Sequence, residues 1–139
     1  MIPLIRPLIP VMQQVTKHLE ASFAIRRLSN FGPAVCKLAA ALETRFLRER
    51  VVLTSSGHTA LMAAIATAPG SPRCWAIPAY TFESTRLALQ GYEISYVDVD
   101  ATGCLSVDAL RRVDFDGVII VYPLSTVPDV DAIADVARG

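Results

Sequence analysis

The segment best suited to chemistry is Ser55-Ser56-Gly57-His58-Thr59, small and hydroxyl-bearing residues between an apolar run, Val51 to Thr54, and the alanine-rich stretch Ala60 to Ala66. A strand that ends in small residues and opens a helix leaves main-chain N–H groups unpaired at the positive end of a dipole. A phosphate fits such a turn, and the hydroxyls of Ser55, Ser56 and Thr59 are further donors. The segment is neither a Walker loop nor a dinucleotide fingerprint, so on local sequence alone a well-capped helix is the preferred reading. Phe82 follows the next apolar run, at the end of the elements where ligands collect in open α/β folds; it can stack on a flat ring, although a core aromatic is the plainer role. Asp98 with Asp100, and Asp129 with Asp131, are paired carboxylates that could hold Mg²⁺, but a strand-end turn and a helix cap suit them better. His58 could act as a base, yet the sequence offers it no partner, so a satisfied or solvent-facing imidazole is preferred.

The elements that must position these residues follow from spacing. Pro3, Pro7 and Pro10 make the opening an extended arm. A helical stripe of Val11, Val15, His18, Leu19 and Phe23 comes next, then a turn at Ser29 to Pro33. A second helix, about Ala34 to Arg48, is expected to bury Val35, Leu38, Leu42 and Phe46. From residue 51 the order is strand, helix, four times over. The strands are Val51–Thr54, Cys74–Ile77, Glu93–Val99 and Val118–Val121; Thr81, Ser106 and Asp129 can cap the second, third and fourth helices. That order predicts an α/β fold with a predominantly parallel sheet and crossover helices over residues 51–139, preceded by an arm and two helices over 1–50.

Composition sets the outer limits. With 139 residues, 53% hydrophobic and 19% charged, the chain can fill a core and has apolar surface to spare for a partner. Thirteen basic against thirteen acidic residues remove the basic excess that nucleic-acid binding needs. Three scattered cysteines, Cys36, Cys74 and Cys104, form no disulfide framework, and with His18 and His58 they give no ordinary zinc spacing, so no metal is expected. Prolines and Arg6 interrupt the apolar start, so it is not a signal peptide, and no run is long enough to span a membrane. A cytoplasmic protein is the expectation.

Read together, five segments resemble the DegT/StrS-type sugar aminotransferases, fold-type I enzymes dependent on pyridoxal 5′-phosphate (PLP). They are Leu28 to Pro33 (LSNFGP), Leu53 to Leu61 (LTSSGHTAL), Pro78 to Thr85 (PAYTFEST), Gly91 to Asp100 (GYEISYVDVD) and Val121 to Ile133. The resemblance implies that Gly57, His58 and Thr59 hold the cofactor phosphate, that Phe82 stacks on the pyridine ring, and that Thr85 supports it from below. His58 stands where the family usually has threonine; Tyr122 and Ser125 replace a histidine and a glycine beside the pocket. The resemblance also implies a dimer, with the arm and the SNFGP turn near the interface, and a nucleotide sugar as substrate of the complete enzyme.

Transamination of this kind needs a Schiff-base lysine and a carboxylate on the pyridine nitrogen. In the family both follow the last helix read here, in a "DxAQ" segment and a later lysine segment, whereas the two lysines present, Lys17 and Lys37, precede the first strand, far from the pocket in the family fold. The expectation is therefore the N-terminal part of a large PLP domain, with no catalytic residue and no catalysis as this chain alone. It would pair with a second copy or with a C-terminal partner chain. The alternative is a non-catalytic binding or scaffold subunit derived from the family; a phosphate-binding α/β domain unrelated to PLP is the third reading.

Overall fold

The computed structural model describes residues 7–138, and the chain divides into two compact units, Met1–Leu53 and Thr54–Gly139. The first six residues of the expected arm lie outside the described residues; from Pro7 to Val11 the backbone has no regular structure, and Leu8 and Ile9 are exposed.

The first unit contains two helices, α1 (Met12–Ala24) and α2 (Pro33–Phe46). Pro33 opens α2, where a missing N–H costs nothing. The buried Ser22 accepts the Ala34 N–H at 3.2 Å, joining α1 to the start of α2. Gly32 is required by space: a Cβ there would lie 2.7 Å from the Arg27 carbonyl oxygen. The burial expected for Val35, Leu38, Leu42 and Phe46 does not occur. No residue of α2 is buried, and Phe46 is 60% exposed. Two helices share a single seam, which is narrower than the apolar stripes that α1 and α2 carry.

The strand expected at Val51–Thr54 is also absent. A lone extended segment has no ladder for its polar groups; the Val51 N–H instead donates to Glu43 Oε1 at 3.1 Å, and Val52 is exposed.

The second unit is a three-stranded sheet covered by helices on both faces. Its elements are α3 (Gly57–Ala66), β1 (Cys74–Pro78), α4 (Glu83–Ala88), β2 (Glu93–Val97), α5 (Val107–Leu110), β3 (Gly117–Val118) and α6 (Val130–Arg138). The order is β2-β1-β3, and both pairings are parallel, as the alternation of strands and helices requires. Three strands pair where four were expected, and β2 and β3 stop short of Val99 and Val121. The ladder does continue one bond past β3, from Ile119 N–H to the Ala76 carbonyl at 2.9 Å.

Because side chains alternate across a strand, β1 supplies two cores. Trp75 and Ile77 pack with Ile65 of α3 and with Ala88 and Leu89; Ala76 packs on the other face with Val97, Leu105, Leu110 and Ile133. Ile77, Leu110 and Ile133 are fully buried. The Asp116 carboxylate accepts the Arg73 and Cys74 N–H groups at 2.8 and 2.9 Å, fixing the loop before β3 to the start of β1. Those bonds, that from Cys74 foremost, hold the Asp116 carboxyl below its ordinary range.

Candidate functional site

The turn into α3 is built by its own hydroxyls. Thr54 Oγ1 donates to the Ser56 carbonyl at 2.8 Å, and Ser56 caps the helix by accepting the Thr59 N–H at 3.2 Å. The Thr59 hydroxyl lies 3.0 Å from Ser56 Oγ and 3.3 Å from Ser55 Oγ. Of the three N–H groups read as anion donors, that of Thr59 is therefore engaged by the cap. Among the described residues, those of Gly57 and His58 donate to no protein group. A Cβ on Gly57 would meet nothing within 4 Å, so packing does not demand glycine there.

His58 reaches out of the turn. Its Nδ1 lies 3.0 Å from the Ser84 carbonyl oxygen in the first turn of α4. A carbonyl only accepts, so Nδ1 carries the proton in this contact. Nothing in the local sequence marks this partner, which lies 26 residues away. The bond brings the segment read as a phosphate turn beside the segment read as a ring-binding loop.

In that loop Phe82, rather than the expected Thr81, occupies the cap position of α4. Thr81 instead donates its hydroxyl to Thr85 Oγ1 at 2.9 Å. Thr85 is buried, and its N–H bonds the Phe82 carbonyl at 2.9 Å. Phe82 is 80% exposed and fills no core. An ion pair between Glu83 and Arg86 closes the solvent side of α4; Arg86's hydrogen bond holds the Glu83 carboxyl below its ordinary range.

One carboxylate of each pair has structural work. Asp100 Oδ1 accepts the Thr102 N–H and hydroxyl at 2.8 and 2.6 Å and the Cys104 N–H at 3.2 Å, forming the turn after β2. These bonds, that from the Thr102 side chain foremost, lower its pKa. Asp129 Oδ1 caps α6 by accepting the Ala132 N–H at 3.0 Å. Among the described residues no three His, Cys, Asp or Glu side chains group as metal ligands. The loops after the three strands meet at one end of the sheet: a Cβ on Gly103, after β2, would lie 3.5 Å from the Tyr80 ring, after β1, and 3.7 Å from Pro123, after β3.

Two free N–H groups at the positive end of α3, three hydroxyls around them and an exposed ring on the tethered loop can receive a phosphorylated planar ligand. The sequence profile of the DegT/DnrJ/EryC1/StrS aminotransferase family matches residues 11–139. The chain belongs to this family.

Solved structures agree with the assignment. The sugar aminotransferase CalS13 from Micromonospora echinospora superposes with a TM-score of 0.82 at 29% identity, over 98% of this chain and 38% of its own. A sugar aminotransferase from Streptococcus pneumoniae, described as putative and solved in its PMP form, gives 0.75 at 21% identity, over 97% and 35%. GDP-4-keto-6-deoxy-D-mannose-3-dehydratase from E. coli, solved with hydrated PLP, gives 0.71 at 20% identity, over 89% and 35%. The last two show the shared fold. The chain thus spans little more than a third of the length of these proteins. Among the described residues no helix is long and apolar enough to cross a membrane.

Proposed function

We propose that this chain supplies the phosphate-binding turn and the ring-binding loop of a PLP-dependent enzyme that transfers an amino group to a keto-sugar nucleotide. The observation that carries the reading is the hydrogen bond from His58 to the Ser84 carbonyl, which ties an N–H-rich helix start to the loop that carries the exposed Phe82. The residues fit the cofactor. The Gly57 and His58 N–H groups and the Ser55, Ser56 and Thr59 hydroxyls suit its phosphate. Phe82 suits one face of its pyridine, and Thr85 keeps the Phe82 backbone in place.

When bound, PLP supplies an electron sink for bond breaking next to an amine nitrogen. The protein's part here is to anchor and orient. The helix dipole and the two N–H groups hold the phosphate, and the hydrophobic ring excludes water from one face of the heterocycle. Residues 54–139 contain no lysine, and neither Lys17 nor Lys37 is assigned to the cofactor aldehyde. On this reading residues 1–139 alone bind the cofactor without turning over substrate, the lysine coming from outside these residues, and they work in a dimer. The exposed apolar faces of α1 and α2, Phe23, Leu38 and Phe46 among them, support such an assembly.

Equilibrium dialysis against PLP, pyridoxal and inorganic phosphate tests the binding. PLP should bind more tightly than either half-ligand, and equal retention of PLP and pyridoxal overturns the reading. Incubation with PLP, glutamate and a keto-sugar nucleotide should yield no amino sugar; turnover by these residues alone contradicts the division of labour.

A further inference from the structure

We infer that His58 is a positioning residue that locks the phosphate-binding turn to the ring-binding loop, so that a ligand engaging both is favoured over one engaging the turn alone. The inference rests on the reading of this site as a PLP site. The His58 main chain and side chain face different tasks. Its N–H stands free at the start of α3, whereas its half-buried ring spends Nδ1 on the Ser84 carbonyl. Ser84 lies two residues beyond Phe82, and Thr85 ties back to the Phe82 carbonyl. A shift of the His58 ring therefore moves the loop that carries Phe82 relative to the turn.

Otherwise the alanine-rich α3 and the short α4 meet through the apolar cluster that holds Ile65 and Ala88. Apolar contact is non-directional and tolerates sliding, while a hydrogen bond fixes separation and angle. A ligand held at its phosphate by Gly57 and His58 and at its ring by Phe82 depends on that separation. Inorganic phosphate does not.

The test uses the 139-residue chain and the variants His58→Ala and His58→Asn. Asparagine Nδ2 stands the same number of bonds from the main chain as histidine Nδ1 and donates likewise. Affinity for PLP is read by equilibrium dialysis, and affinity for inorganic phosphate by NMR shifts of the Gly57 amide. His58→Ala should weaken PLP about five-fold and leave phosphate within about two-fold, the scale of one lost neutral hydrogen bond. His58→Asn should recover most of the PLP loss. Equal losses for both ligands, or a His58→Ala chain that binds PLP like the parent, overturns the inference while leaving the site intact. A parent chain that binds neither PLP nor phosphate overturns the site reading, and the inference with it.

Discussion

Replacing Gly117 by alanine should destabilise the second unit by way of a single atom. A Cβ at Gly117 would lie 2.8 Å from two carbons of the Trp75 ring and 3.1 Å from a third. Ordinary carbon contacts begin near 3.5 Å, so about 0.7 Å must be found. Trp75 is 7% exposed and packed against Ile65, Ile77 and Leu89, and it is the register partner of Gly117 across the β1–β3 ladder. Neither the ring nor the strand has free space to give. Overpacking of this kind costs about 1–3 kcal/mol, and the entropy that alanine removes from the unfolded chain returns about 0.5. A net loss of about 1.5 kcal/mol lowers Tm by about 6–12 °C for a unit of this size. Trp75 is the sole tryptophan, so its fluorescence reports the transition directly. Gly57→Ala is the matched control: its Cβ meets open space, and stability should be unchanged or slightly raised. A Gly117→Ala chain with the parent's Tm would show that the register or packing of β3 against Trp75 is wrong.

Ser56→Ala removes the cap of α3 and should cost about 1 kcal/mol in urea unfolding while weakening phosphate binding; parental values for both would remove Ser56 from the account. Asp116 and Asp100 have folded pKa values below their ordinary 3.8, so each favours the folded state above that value and loses this contribution as pH falls through its folded pKa. Urea midpoints should therefore drop below about pH 4, less steeply in Asp116→Asn, and parallel profiles would contradict the assignment. Sedimentation equilibrium at low micromolar concentration should show a species larger than 15.0 kDa, and a monomer there would refute the proposed self-association.

Much of the second unit could be read from periodicity because its central strand, β1, is buried on both faces and α3, α5 and α6 carry their own caps. Ser106 and Asp129 cap where their spacing placed them. The misreadings occur where partners decide the outcome. Val51–Thr54 has the composition of a strand but no neighbour to pair with, and a helix stripe such as Leu38–Leu42–Phe46 is buried only if something packs on it. Within the site, Ser56 and the small residues after it were visible as a helix start. Phe82 was visible only as an aromatic with two plausible fates, and its exposure excludes the core. The bond from His58 to Ser84 left no mark in local sequence, since it depends on how α3 and α4 meet.

A crystal structure of the chain grown with PLP tests whether one ligand spans the α3 turn and the Phe82 loop. The phosphate should lie against the Gly57 and His58 N–H groups, with the pyridine on the Phe82 ring and the His58–Ser84 bond retained. PLP bound elsewhere, or a phosphate in the turn with the ring directed away from Phe82, would contradict that arrangement.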